Sequence, residues 1–97
     1  MTDKLSSDTW IWVIVQNPGE NEQFLGQHDD KKNVSFIPAF YEKDIAQQCL
    51  IQLITEKGNK YEAQAVQFEE LAKDAAQHGF SIFMLNADGE ILEEIAP

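Results

Sequence analysis

Two segments of the chain are apolar without alternation. Thr9–Gln16 (TWIWVIVQ) is built from β-branched and aromatic residues, and Phe80–Leu85 repeats the pattern. Because successive side chains of a strand point to opposite faces of a sheet, such segments are typical of strands covered on both faces. The apolar run Trp10–Val15 is far shorter than the roughly 20 residues that a membrane-spanning helix needs. We therefore expect a globular fold around a sheet, with no membrane partner.

The hydrophobic period changes at Tyr41. Val34–Phe40 predicts a strand, and Pro38 favours an edge, a bulge or an early end for it. After Tyr41, apolar residues recur at helical spacing and share one side of a helix: Ile45, Ala46, Cys49, Leu50, Leu53 and Ile54. Gly58-Asn59 is expected to end this helix. The junction is interpreted as the point where a strand leads into a helix, and not as a reaction site.

The rest of the chain supplies further elements. Short strands are predicted at Gln23–His28 and Lys60–Gln67, and a hairpin joins Phe80–Leu85 to Glu90–Ile95 through the turn residues Asn86-Ala-Asp-Gly89. A second helix is indicated by four apolar residues that precede Gly79: Leu71, Ala72, Ala75 and Ala76. Residues 1–8 predict a flexible leader, and residues 9–97 predict a single domain.

The element order β-β-β-α-β-α-β-β predicts an α/β (α+β) fold. We expect a two-layer sandwich in which a mixed sheet of five to six strands carries two helices mainly on one face. Such a sheet is about 24–29 Å wide, whereas two helices cover only about 20 Å. One apolar side of the first strand is then left without a helix. An interface is predicted there, used for a homodimer or for another protein, with four candidate residues: Trp10, Trp12, Ile14 and Phe83.

The charge balance excludes one class of partner. Seven lysines, with no arginine, face seventeen carboxylates, which gives a net charge of −10. Nucleic-acid affinity comes largely from Lys and Arg contacts to phosphate, so we expect no nucleic-acid binding. The acidity is explained most simply by solubility, and a basic protein partner is the alternative.

Cysteine usage gives no sign of a disulfide framework or of a multi-cysteine zinc site, because Cys49 is the only cysteine. The N-terminal sequence MTDKLSSD lacks the basic-then-apolar order of a signal peptide. Together these features favour a cytoplasmic location. Cys49 with His28 or His78 is the only nucleophile–base combination, but Cys49 lies in the apolar stripe of the first helix and is expected to be a buried, inert thiol.

No acidic cluster has the spacing of a catalytic or metal site. His28-Asp29-Asp30 lacks further ligands at a characteristic distance, and the alternating residues Asn86, Asp88 and Glu90 lack the twelve-residue spacing of a calcium loop. Adjacent carboxylates do not face each other on a helix or a strand, which applies to Glu69-Glu70 and Glu93-Glu94. The sequence predicts no catalytic, cofactor-binding or metal-binding residue, no cofactor and no enzymatic activity.

The order of several short segments resembles the N-terminal domain of the SseB-like (enhanced serine sensitivity protein) family. These segments are WVIV, FIPAFYEKDIA, YEAQAVQFEELAKDAAQHGF and SIFMLN, and they span about residues 10–86. Tyr41 stands where the family prefers a helix-capping hydroxyl, and Ala87 stands where proline would follow Asn86. The resemblance implies a small intracellular α/β module without enzymatic activity, and it transfers no site residue.

Two functional hypotheses follow. The first is a protein-interaction or self-association module. The second is a small-molecule sensor or weak enzyme, with a pocket near Tyr41 and Phe68 at the carboxyl ends of the parallel strands. An apolar patch at an interface would favour the first hypothesis, and a deep pocket lined by these two aromatic residues would favour the second.

Overall fold

This computed structural model describes residues 5–53 and 55–97, which contain seven strands and two helices. The elements in chain order are β1 Trp10–Gln16, β2 Gln23–Phe24, β3 Gln27–Asp29, β4 Val34–Phe40, α1 Lys43–Leu50, β5 Tyr61–Gln67, α2 Phe68–His78, β6 Ser81–Leu85 and β7 Ile91–Ile95. The predicted class, a mixed sheet with two helices, is confirmed, with seven strands in place of five to six. None of the described helices combines the length and the apolar character needed to cross a bilayer.

The sheet is mixed, with the long strands in the order β5-β1-β4-β6-β7. β1 pairs antiparallel with β5 along its whole length and with β4 near Trp12 and Phe40. β4 and β6 are parallel, and β7 returns antiparallel to β6. The C-terminal ends of β4, β5 and β6 therefore point the same way.

The short strands β2 and β3 lie between the diverging ends of β1 and β4. β2 pairs with the end of β1, where Val15 faces Phe24, and β3 pairs with the start of β4. Between them, the buried Leu25 donates its backbone N–H to the carbonyl of Ile14 at 2.8 Å. The predicted strand Gln23–His28 is thus present but divided into two pieces that pair with different neighbours.

The two helices lie on opposite faces of the sheet. One buried cluster, the α2-side core, contains Leu71 and Ala75 of α2 together with strand residues Ile11, Val13, Val15, Ile37, Ala39, Ile82 and Met84. The other, the α1-side core, contains Ala46 and Cys49 of α1 with Ile14, Leu25, Phe40, Phe83 and Leu85. The expectation that both helices lie mainly on one face is therefore wrong.

Strand order explains this difference. The connection from β4 to β5 through α1 crosses β1 in one direction, and the connection from β5 to β6 through α2 crosses back in the other. Parallel crossovers are right-handed, so two crossings in opposite directions place their helices on opposite faces. Both sides of β1 thereby contribute to a buried core within one chain, with Ile11 fully buried on one side and Ile14 only 1 % exposed on the other.

Two boundaries depend on local chemistry. α2 ends where predicted, at Gly79, which has a left-handed φ of 72° and donates its N–H to the carbonyls of Ala75 and Ala76. α1 ends at Leu50, well before Gly58, and a turn follows in which Gln52 N–H bonds to Cys49 O at 2.8 Å. Residue 54, the last of the predicted apolar stripe, lies outside the described residues.

Part of the predicted leader is held against the domain. Leu5 packs against the α2-side core, and the carbonyl of Ser7 accepts the N–H of Glu69 at 2.9 Å. Thr9 O accepts the N–H of Phe68 at 2.8 Å. These bonds satisfy backbone donors at the start of α2, which has no side-chain cap. Residues 1–4 of the predicted leader lie outside the described residues.

Candidate functional site

The four predicted interface residues do not share one surface. Trp10 is 60 % exposed and Trp12 is half-buried, whereas Ile14 and Phe83 are each only 1 % exposed. Ile14 and Phe83 belong to the α1-side core, which α1 covers. Only the two tryptophans can contact a partner without rearrangement of the core.

The outer edge of β5 is the longest unpaired sheet edge in the described part of the chain. Every residue of β5 pairs with β1, from Trp10 opposite Gln67 to Gln16 opposite Tyr61, without a bulge. No strand among residues 5–53 and 55–97 pairs with its other side. The strand, YEAQAVQ, contains neither proline nor lysine. An edge of this kind is a template for a further strand.

The hydrogen bonds that flank β5 show which of its residues face this edge. Asn17 N–H bonds to Lys60 O at 2.7 Å, and Phe68 N–H bonds to Thr9 O at 2.8 Å. In an antiparallel ladder, hydrogen-bonded and non-hydrogen-bonded pairs alternate, so the even-numbered residues of β5 bond to β1. The outward N–H and C=O groups therefore belong to the odd-numbered residues: Tyr61, Ala63, Ala65 and Gln67.

The opposite edge, β7, is shorter and less regular. It has five residues, and its pairing with β6 is interrupted by a bulge between Met84 and Leu85. It also carries the carboxylates of Glu93 and Glu94. Bulges and edge charges are features that discourage strand addition. Of the two outer strands, β5 is the one that is suited to pairing.

Two tryptophans lie beside the β5 edge on the α1 face. Trp12 is directly opposite Ala65, and Trp10 is opposite Gln67. Lys43 Nζ lies 5.7 Å from the centroid of the Trp12 ring, which is within the range of a cation–π contact. Ala65, which is small and exposed, lies between Trp12 and the free edge of β5.

A partly open cavity of about 450 Å³ lies on the α2 face, between the C-terminus of α2 and the β2 end of the sheet; we call it the α2 cavity. Its lining combines apolar, aromatic and charged side chains: Val15, Glu22, Gln23, Phe24, Ile37, Asp74, His78 and Phe80. A second, more open depression of about 400 Å³ is bordered by the β3–β4 turn and by Phe36, Leu85 and Ile91.

Tyr41 and Phe68 both pack against the α2-side core, but neither lines these two cavities. The Tyr41 hydroxyl donates a hydrogen bond to Oε1 of Glu93. Burial, followed by this hydrogen bond and the negative charge of Glu93, raises the pKa of Tyr41 well above its usual value. The second hypothesis predicts a pocket beside these two aromatic residues. The α2 cavity lies on the same face of the sheet but is lined by other residues.

Cys49 is fully buried in the α1-side core. Burial and, to a smaller extent, the charge of Asp88 raise the pKa of its thiol.

His78 lies at the end of α2, and its Nδ1 is 2.8 Å from Asp74 O. His28 Nδ1 lies 3.2 Å from Ser35 Oγ on β4. Within the described residues, no group of three or more His, Cys, Asp or Glu side chains is arranged to hold a metal ion.

Sequence reasoning missed both the free β5 edge and the α2 cavity. The strand itself was predicted, but an edge is defined by strand order. The cavity is lined by residues from four separated parts of the chain, and no local motif marks it.

Comparisons with protein-family models, with curated proteins and with solved structures find no match for this chain. The resemblance to the SseB-like domain therefore stays a prediction.

Proposed function

We propose that this protein is a self-association module in which two copies join along their β5 edges and form one continuous sheet. The observation that carries the proposal is the uninterrupted outer edge of β5, whose odd-numbered residues present free N–H and C=O groups. Strand addition is an established mode of recognition, in which main-chain hydrogen bonds supply the affinity.

A two-fold register fits this edge. With Gln64 facing Gln64 of the second copy, Ala63 faces Ala65 and Tyr61 faces Gln67. All four are residues whose backbone groups point outward, so the pairing forms about eight hydrogen bonds between the copies. In the same register Glu62 faces Val66, and no carboxylate of β5 lies opposite another. A C2 dimer requires such self-complementarity.

The net charge of −10 opposes association of two copies, but the edge itself is nearly neutral. Glu62 is the only charged residue of β5, and Lys60 precedes it. The remaining charges repel each other over longer distances. Salt at physiological ionic strength screens interactions between exposed charges that are more than about 8 Å apart. The expected dimer therefore forms more readily as salt increases.

The proposal includes a cytoplasmic, non-enzymatic role. A single buried thiol agrees with a reducing compartment. The SseB-like resemblance likewise implies a small intracellular module without enzymatic activity. Exposed Trp10 lies next to β5 and adds an aromatic surface of the type enriched at interfaces.

Proline substitution tests the proposal directly. Ala65→Pro removes an N–H that points to the free edge and leaves the hydrogen bonds to β1 in place, so the variant should fold but remain monomeric. Leu92→Ser is the matched control, because Leu92 is 52 % exposed on the other outer strand. Sedimentation velocity at increasing protein concentration and 0.15–0.3 M salt should show a dimer for the parent chain and for Leu92→Ser.

Three results would overturn the proposal. The parent chain could stay monomeric at several hundred micromolar, or Ala65→Pro could dimerise as well as the parent. Alternatively, loss of the dimer only in Leu92→Ser would assign pairing to β7. Circular dichroism of Ala65→Pro confirms that the variant is folded, and Ala63→Pro is a second variant with an outward N–H if the first one unfolds.

A further inference from the structure

We propose that the α2 cavity binds a small organic cation, an amine or guanidinium group attached to an apolar body. This inference is independent of the proposed dimer, because the cavity lies at the β2 end of the α2 face and contains no residue of β5. Its volume of about 450 Å³ lies within the range of small-molecule sites.

The walls of the cavity suit an apolar body. Val15 and Ile37 are buried and form its floor. Phe24 and Phe80 also line the cavity, and both are half-buried. Aromatic faces attract cations as well as apolar groups, because the face of the ring is the negative part of its quadrupole.

The charged groups at the rim favour a cation. Two acidic residues line the cavity, Glu22 from the segment just before β2 and Asp74 from α2. Glu22 is held in place by the N–H of Gly19, which bonds to its Oε1 at 2.8 Å. Among the residues that the structure describes, no lysine lines the cavity.

The position of the cavity at the C-terminal end of α2 also favours a cation. Asp74 and His78 lie in the last two turns of the helix, whose C-terminal carbonyls carry partial negative charge. The net charge of −10 adds a general attraction for cations. An anionic ligand of the same shape would meet repulsion from the carboxylates of Glu22 and Asp74 and from the carbonyls at the end of α2.

One close contact defines the shape of the cavity. The ring of Phe80 lies against Gly26, so that a Cβ at Gly26 would be only 2.6 Å from Phe80 Cε2. The absence of a side chain at Gly26 lets the ring take up its place in the cavity wall. The cavity therefore depends on a specific packing arrangement between the β2–β3 connection and the start of β6.

The experiment compares two probes that differ in charge. Titration of the ¹⁵N-labelled protein with 2-phenylethylamine, up to about 10 mM, should shift the amide signals of Phe24, His78 and Phe80. 3-Phenylpropionate, a similar body with a carboxylate, should leave them in place. Asp74→Asn should weaken amine binding by about 10-fold, and the double variant with Glu22→Gln should abolish it.

Glu70→Gln is the matched control, since Glu70 is an exposed carboxylate on α2 that does not line the cavity. Amine binding should be unchanged in this variant. The proposal is overturned if the amine shifts none of the cavity signals at 10 mM, or if phenylpropionate binds equally well. It is also overturned if Glu70→Gln weakens binding as much as Asp74→Asn, because the effect would then reflect net charge alone.

Discussion

The hydroxyl of Tyr41, just after β4, donates a hydrogen bond to the carboxylate of Glu93 on β7. It thereby connects the strand–helix junction to the outermost strand on the α2 face, across β6. The junction at Tyr41 was interpreted from sequence as a structural transition, and this contact gives the tyrosine a structural role there.

Replacement of Tyr41 by phenylalanine should lower the free energy of unfolding by about 1 kcal/mol, the typical net value of one hydrogen bond. The pH dependence should change too. Because the pKa of Tyr41 is raised in the folded state, the unfolded chain loses this proton first, from about pH 10. Stability is thus fully present below pH 10 and declines above it. Tyr41→Phe should make that alkaline decline shallower in denaturant titrations.

A spectroscopic control separates the causes of the raised pKa. Burial is the largest cause and Glu93 is the next, so Glu93→Gln should lower the pKa of Tyr41 only in part. Absorbance of tyrosinate near 295 nm reports this ionisation. A return of the Tyr41 pKa to its ordinary value in Glu93→Gln would show that burial contributes little.

Gly26→Ala should destabilise the fold by about 1–3 kcal/mol, the range observed for overpacked sites. The new Cβ would approach Phe80 Cε2 to 2.6 Å and force the ring to move. Phe80→Leu, which has a smaller side chain, should relieve the clash, so the double variant should lose less stability than the sum of the single variants. Additive losses in urea denaturation would show that the ring is not the obstacle.

The buried thiol leads to a kinetic prediction. Cys49 is fully buried, and burial raises the pKa of its thiol, so the reactive thiolate is scarce and inaccessible. Its reaction with an aromatic disulfide reagent at pH 8 should be at least about 100-fold slower in the native protein than in urea. A native rate equal to the rate in urea would place Cys49 at the surface.

The dependence of stability on salt follows from the charge surplus. Two Lys–carboxylate pairs are formed among the described residues, Lys32 with Glu94 and the exposed Lys73 with Glu69, and exposed pairs contribute little. Screening the excess of carboxylates should therefore raise the thermal midpoint between about 10 mM and 300 mM sodium chloride. The Ala65→Pro variant removes any contribution from dimerisation. A fall in its midpoint would mean that the specific pairs outweigh the general repulsion.

Much of the secondary structure could be predicted because it depends on local periodicity. β4 spans Val34–Phe40 as predicted, and β1, β5 and β6 each begin one residue later than predicted. The early end of α1 could not be predicted in the same way. The apolar pattern continues past Leu50, and Ile51 still has right-handed helical backbone angles although the helix has ended.

The placement of the helices depends on strand order, which periodicity does not encode. An apolar β1 requires cover on both faces, but the same requirement is met by two helices on one face with a partner on the other, or by one helix on each face. The interface prediction was built on the first arrangement, and the observed order β5-β1-β4-β6-β7 produces the second. The candidate surface consequently moves from a sheet face to a sheet edge.

The two tryptophans of β1 provide a matched pair for testing this assignment. Trp12 packs against the α1-side core and under Lys43, whereas Trp10 on the same side of the strand is 60 % exposed. Trp12→Ala should lower the free energy of unfolding by about 2 kcal/mol, less than the 3–5 kcal/mol typical of a fully buried aromatic residue. Trp10→Ala should change it by less than about 0.5 kcal/mol. Both values come from urea denaturation of the variants in the Ala65→Pro background, where association does not contribute. Equal losses for the two substitutions would mean that α1 does not cover this side of β1, and that the face first predicted as an interface is open after all.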